Sequence, residues 1–293
     1  MKIVSVGEVL WDILPSAEHP GGAPFNFAWH AHNLGHEVCF VSAIGNDQRG
    51  RKIIEQMAES RLSTRFIRRV PSQPTGTVTV ALDSQGLPHY TIHRPAAYDF
   101  PSLSPAEFDA LLNPTPAWIY FGTLQQMSVP AHAFVMQLLA AAPTTRYFYD
   151  VNLRVGSFTP ELVRTLAQRA HILKLNEQEV SALREIGGLQ GDSREQFCRN
   201  CLSAFQLDGI CITLGPKGCA LLLGNEYLEA PGFPISVADT IGAGDAFSAA
   251  LLHGINAGWT EAQIAAFANR VGALVASRSG GTPRWTVAEA MAL

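Results

Sequence analysis

From residue 117 to the C-terminus, short apolar runs alternate with amphipathic stretches of helical length. No other feature restricts the fold so strongly. Strand patterns cover 118–121, 147–151, 171–175, 209–214 and 219–223. Helix patterns cover 130–142, 160–170, 178–186, 194–205, a run from Gly244, another from Glu261 to about Ser277, and a last one from Val287. Strands separated by helices of about 10 to 15 residues imply a parallel sheet covered on both faces. The amino-terminal part keeps the same rhythm: a strand at 2–6, a helix at 27–34 stopped by Gly35, a strand at 38–44 and a helix at 48–61. One insertion breaks it. Segments 75–82 and 88–93 both alternate apolar and polar residues around the turn Asp83-Ser84-Gln85-Gly86, which reads as a hairpin. Antiparallel strands inside a parallel pattern form a separate flap. The expected fold is α/β: a doubly wound, mostly parallel sheet flanked by helices, with a small β-sheet lid.

The 293 residues permit one large α/β domain or two ordinary ones, and no internal repeat or low-complexity linker divides them. The net charge of −4 comes without basic blocks, so bulk charge offers nothing to nucleic acid or an anionic membrane. No apolar run reaches the roughly 18 to 20 residues of a membrane span, and no targeting segment is apparent, so a cytoplasmic location is expected. Cysteines 39, 198, 201, 211 and 219 are odd in number and scattered, which fits a reducing compartment. His30, His32 and His36 cluster by number, but Gly35 interrupts the helix a metal pair would need.

The chemistry concentrates in Asp239-Thr240-Ile241-Gly242-Ala243-Gly244-Asp245, which runs into a small and apolar helical stretch. Gly242 and Gly244 permit close approach by another group. The free N–H groups and positive dipole end of the helix face any anion placed there. Asp245 in the first turn adds a carboxylate, and the combination points to phosphoryl transfer. A plain glycine turn before an acid-capped helix is the bland alternative. GxxxxGK[ST], GxGxxG after the first strand, HExxH and GxSxG are all absent. Other polar groups follow strands, where an open α/β sheet keeps its ligand crevice. They are Asp12, Asp150-Val151-Asn152-Leu153-Arg154, Asn176 with Glu179, and Thr213-Leu214-Gly215-Pro216-Lys217-Gly218. Separately, the Gly21-Gly22 pair lets the chain pass close to a ligand, and Asn26 can donate and accept hydrogen bonds to a polyol. Asn176 and Glu179 read equally as a capping box or as oxygens ordering water around Mg²⁺.

Together these segments resemble the ribokinase-like, or PfkB, carbohydrate kinases. Gly21-Gly22-Ala23-Pro24-Phe25-Asn26-Phe27-Ala28, then Gly35 and Gly45, is similar to the family's amino-terminal signature, and Asp239 to Asp245 is similar to its carboxy-terminal one. Asn176 and Glu179 match its NxxE, and Thr213, Gly215 and Gly218 its TxGxxG. The likeness covers nearly the whole chain and implies a single kinase domain over 1–293, with a lid built from about 11–20 and 75–98. It implies ATP and Mg²⁺ as cofactors and a small-molecule sugar as partner. Asp245 would be the catalytic base, with Gly242, Ala243 and Gly244 beside it in an anion hole. Asp12, Gly22, Asn26, Arg94, Asn152 and Arg154 would bind the sugar. Asn176, Thr213, Gly215, Gly218 and Asn269 would serve ATP, and Glu179 would organise Mg²⁺ through water. Asp239, Ile241 and Ser279 resemble a K⁺ loop.

Gly7-Glu8-Val9-Leu10-Trp11-Asp12 and Asp150-x-Asn152-x-Arg154 look most like the fructokinase branch, although Val151 and Phe25 depart from its usual residues. Fructose phosphorylated at O6 is the expected reaction. Another free sugar, a nucleoside, or a sugar-binding regulator without turnover remain alternatives. The lid hairpin fits a homodimer contact or a one-sided flap.

Overall fold

A computed structural model describes residues 1–14, 17–82 and 88–293. The turn expected at 83–86 lies outside them. The chain runs through β1 (Lys2–Val6), β2 (Leu10–Ile13), β3 (Glu18–Gly21), α1 (Ala23–Asn33), β4 (Glu37–Ile44), α2 (Gln48–Glu59), β5 (Ile67–Arg69), β6 (Gly76–Leu82), β7 (Pro88–His93) and α3 (Pro105–Leu112). It continues through β8 (Trp118–Gly122), α4 (Val129–Ala141), β9 (Arg146–Asp150), α5 (Pro160–Ala167), β10 (Ile172–Asn176), α6 (Glu179–Gly187), α7 (Arg194–Phe205), β11 (Gly209–Thr213), β12 (Cys219–Leu223) and β13 (Glu226–Ala230). Helices α8 (Ala243–Ala257), α9 (Glu261–Ala276) and α10 (Val287–Met291) complete it.

Nine strands form the large sheet in the order β13-β12-β11-β10-β9-β8-β1-β4-β5. Pairing is parallel from β5 to β11 and antiparallel only through β12 and β13. Successive residues of each strand serve opposite faces, as the pleat demands. In β1, Ile3 joins a core with α1, α2, α8 and α9, whereas Val4 joins one with α4, α5, α6 and α7. The order grows from β1 toward β4 on one side and from β8 toward β13 on the other. The topological switch therefore falls between β1 and β8, where the carboxyl ends of the strands leave a crevice.

A second sheet of four strands, in the order β3-β2-β6-β7, lies apart from the first. It closes over a small apolar cluster of Leu10, Val78, Ala96, Tyr98 and Leu124. The hairpin β6–β7 was expected; the segment of about 11–20 was expected in the lid without any strand pattern, and β2 and β3 form there. Asp12 consequently belongs to the second sheet, paired between β3 and β6, and does not simply trail β1. Helix α1 starts four residues before the expected position, because Pro24 fits a first helical turn, where its missing N–H costs nothing. Asn26 is thereby on a helix. The unexpected α3 opens with a reciprocal capping box between Ser104 and Glu107.

Candidate active site

Helix α8 begins at the crevice. Its N-cap Gly242 has φ +74°, and a Cβ there would lie 2.3 Å from the Gly281 carbonyl oxygen, so only glycine fits. In the first turn, Ala243 and Asp245 donate their N–H groups to Thr240 and Gly242 at 3.3 and 3.1 Å. Among the described residues the Gly242 and Gly244 N–H groups have no acceptor, which leaves both as free donors at this helix end. Asp239 braces the preceding loop: its carboxylate accepts from the Ile241 N–H and, across the chain, from Gly280, both at 3.0 Å. Asp239, Ile241 and the neighbourhood of Ser279 are thus brought together. His30 donates through Nε2 to Gly281 at 2.9 Å and accepts from Trp285 at its other nitrogen, which fixes that loop to α1.

Asp245 is buried, and its Oδ2 accepts from Asn26 Nδ2 at 2.8 Å. Burial and the Asp150 charge push its carboxyl up to about 6, against Lys174, Asn26 and Arg154. Beneath it sits a buried ion pair. Lys174 Nζ lies 3.0 and 3.1 Å from the two oxygens of Asp150, which also accepts from Tyr120 and Ser248 at 2.9 Å. Burial would lower the Lys174 ammonium, but Asp150, Asp245 and Glu179 outweigh it and hold it above its ordinary value. Asp150 is therefore a saturated brace, whereas its sequence position offered it to the crevice. A Cβ on Gly244 would sit 3.3 Å from Lys174 Nζ, so the ammonium lies directly against the start of α8.

Glu179 settles into the capping box with Asn176: Asn176 Oδ1 accepts from the Glu179 N–H at 3.0 Å and the carboxylate accepts from the Asn176 N–H at 2.8 Å. Its other oxygen takes the Leu153 N–H at 2.7 Å. Among the described residues no three His, Cys, Asp or Glu side chains converge as a metal cluster. Glu179 keeps lone pairs for ordered water, which suits Mg²⁺, a cation that retains most of its water shell. Thr213 ends β11 beside Asn176. Gly215 has φ +59° with open space where a side chain would be, and a Cβ on Gly218 would strike the Ala230 carbonyl at 2.0 Å. Asn269 donates to the Ala230 and Pro231 carbonyls at 3.3 and 3.0 Å, tying α9 to the end of β13.

Asp12, Gly22 and Arg154 were expected on the sugar side. Gly22 has φ +107°, and a Cβ there would meet the Glu8 carbonyl at 2.6 Å. Burial pushes the Asp12 carboxyl up to about 6, with Arg154 opposing it. Arg154 is exposed and opposes the upward shifts of Asp12, Asp245 and Glu8 alike. Asn152, two residues before it, holds a positive φ of 38°. Arg94 reaches this region, but its guanidinium is engaged by Asp99 and, at 2.9 Å, by the Leu124 carbonyl. It joins the return of the hairpin to the end of β8.

Sequence reasoning missed Lys174 and Glu8 as site residues. The signal for Lys174 was a lone lysine within the apolar strand Ile-Leu-Lys-Leu-Asn. Glu8 directly follows β1 and is 4% exposed, and burial pushes its carboxyl up to about 7. A carboxyl raised in the folded state adds stability that is full below about 4.5 and lost as pH rises through about 7. Glu8→Gln is accordingly expected to raise Tm at pH 8 and leave it little changed at pH 4.5, as read by thermal melts at the two pH values.

A buried carboxylate and free helix-start N–H groups share the first turn of α8, with the Lys174 ammonium of β10 against it. The arrangement can take a proton from a hydroxyl while stabilising a neighbouring anion. An uncharacterized sugar kinase of Pyrococcus horikoshii is 31% identical over 96% of this chain and 93% of its own length, and its structure superposes with a TM-score of 0.84. A fructokinase of Klebsiella pneumoniae is 30% identical over 91% of this chain and 88% of its own. The structure of an ATP-bound fructokinase from Xylella fastidiosa, 22% identical, shares the fold over 99% of this chain and 97% of its own, with a TM-score of 0.85. Residues 16–287 match the pfkB family carbohydrate kinases, and the chain belongs to that family of sugar phosphotransferases.

Proposed function

We propose that the protein transfers the γ-phosphoryl group of ATP to a free hexose, with fructose converted to fructose 6-phosphate. The observation that carries this is Asp245: buried in the first turn of α8, held by Asn26, and raised toward neutrality beside a free backbone N–H. Asp245 accepts the proton of the attacking hydroxyl. The Gly244 N–H, in the turn of Gly242 and Ala243, meets the transferring phosphoryl group, and phosphoryl transfer needs little from a protein beyond such positioning and charge stabilisation. Asp12, Gly22, Asn26, Asn152 and Arg154 hold the sugar, and Arg94 supports that wall through Asp99. Asn176, Thr213, Gly215 and Gly218 flank the nucleotide, Asn269 shapes its far end, and Glu179 orders the water around Mg²⁺. The loop of Asp239, Ile241 and Ser279 takes K⁺, and the second sheet acts as the lid.

Fructose is supported by the fructokinase from Klebsiella pneumoniae at 30% identity. A fructokinase structure from Vibrio cholerae holds fructose, ADP and calcium on the same fold. The test is a coupled ADP-release assay over free hexoses, pentoses and nucleosides, with and without K⁺, followed by NMR of the product. The highest kcat/KM is expected for fructose, with phosphate on O6. A nucleoside as best acceptor would overturn the sugar assignment while leaving the kinase intact.

A further inference from the structure

His30 is wholly buried on α1, and both of its ring nitrogens are engaged. The indole Nε1–H of Trp285 can only donate, so His30 Nδ1, 3.0 Å away, accepts. The proton of the neutral ring is then on Nε2, which donates to the Gly281 carbonyl at 2.9 Å. Burial pushes the imidazole down to about 4, so the ring is neutral near pH 7. Among the described residues, the carbonyl of buried Gly281 has no other donor.

Gly281 is wedged between the two helices that carry the chemistry. A Cβ on it would lie 2.9 and 3.0 Å from the amide nitrogen and oxygen of Asn26. Its carbonyl oxygen lies against Gly242, the N-cap of α8, only 2.3 Å from where a Cβ on Gly242 would be. Its neighbour Gly280 is held by the Asp239 carboxylate. Asn26 and His30 are four residues apart and share one face of α1. That face therefore meets the loop twice, through Asn26 against Gly281 and through His30 on the Gly281 oxygen. Asn26 in turn donates to Asp245 at 2.8 Å.

We propose that His30 is a positioning residue for phosphoryl transfer: its Nε2–H, set by Trp285, holds Gly281 so that Asn26 on α1 and the Gly242–Asp245 turn of α8 keep their register. This rests on the sugar-kinase function above, with Asp245 as its base. His30 itself touches no reacting group. A buried carbonyl that loses its donor is costly, and the loop relieves the cost by moving. Gly281 then no longer backs Asn26, and the base and the free N–H groups shift relative to the acceptor. A misplacement of about 1 Å can cost about 10²-fold in rate. The Asn26 bond also favours the ionised form of Asp245, together with Lys174 and Arg154 and against burial and Asp150. Weakening that bond moves the Asp245 carboxyl further up.

The test compares His30→Asn with His30→Gln. The Asn amide reaches only the position of Nδ1, so Trp285 keeps an acceptor while Gly281 loses its donor. The Gln amide reaches the position of Nε2 and still donates to Gly281. With the best acceptor of the panel, kcat of His30→Asn should fall by about 10-fold to 10²-fold. The acid limb of its kcat/KM profile should move up from about 6 by about half a pH unit, the shift expected when one hydrogen bond to the carboxylate weakens. His30→Gln should recover most of both changes, which a role in stability alone would not produce. Gly281→Ala, whose methyl group presses on Asn26, should reproduce both with His30 intact, and it carries the test should His30→Asn fail to fold. Thermal melts establish which variants are folded. Wild-type kcat and an unmoved acid limb in folded His30→Asn and Gly281→Ala would overturn the proposal and leave His30 a core histidine. Absence of turnover in the wild type with every acceptor would instead overturn the kinase function on which it rests.

Discussion

Asp245→Asn is expected to lower kcat by at least about 10²-fold while the sugar still binds within a few-fold of its wild-type affinity. The amide keeps the size of the carboxyl and an oxygen for Asn26 Nδ2, which now lies 2.8 Å from Asp245 Oδ2. It cannot accept the hydroxyl proton. Loss of fold does not explain such a result. Burial and Asp150 hold the Asp245 carboxyl at about 6, above its ordinary 3.8. Its contribution to stability is therefore full below about 3.8 and lost as pH rises through about 6. At pH 8 the neutral variant should be at least as stable as the wild type. The same shift sets the rate profile: wild-type kcat/KM should fall about tenfold per pH unit below about pH 6, where the base becomes protonated. Initial rates of ADP formation, calorimetric sugar titration and a thermal melt separate these effects. Wild-type turnover in the variant would remove Asp245 from the chemistry.

Lys174→Met carries the largest expected loss of stability. It leaves Asp150, 1% exposed, as an uncompensated charge under the site. Removing one partner of a buried pair costs about 3 to 5 kcal/mol, which lowers Tm by about 10 °C in a chain of this size. The Tyr120 and Ser248 hydroxyls still reach Asp150 and soften the loss, but neither supplies a countercharge. Asp150→Asn combined with Lys174→Met should be less destabilised than the sum of the two single variants, because the second change relieves the charge the first exposes. Denaturant unfolding of the three variants checks this. Equal and additive effects would show that the two groups do not depend on each other.

The large sheet was legible because its parallel strands are buried on both faces and write nearly continuous apolar runs, such as Ile-Cys-Ile in β11 or Trp-Ile-Tyr-Phe in β8. Strands β2 and β3 wrote no such pattern. Each has four residues, and Glu-His-Pro-Gly becomes a strand only because β2 pairs with it and with β6, more than sixty residues on. The helix start with Gly242 and Asp245 was legible because glycine and a first-turn acid have local causes. Lys174 and Glu8 were not. Their significance comes from burial, which depends on elements distant in the chain. Arg94 illustrates the converse. The family resemblance suggested it as a sugar ligand, and its guanidinium is engaged by Asp99, five residues away, a contact its sequence position did not announce.

The most direct measurement is ADP release by the purified protein with ATP and Mg²⁺, in the presence and absence of fructose and the other free sugars. Release that depends on the sugar, saturates with it and vanishes in Asp245→Asn is expected. Tight sugar binding with no sugar-dependent release in the wild type would contradict phosphoryl transfer at Asp245 and leave a sugar-binding protein on a kinase fold.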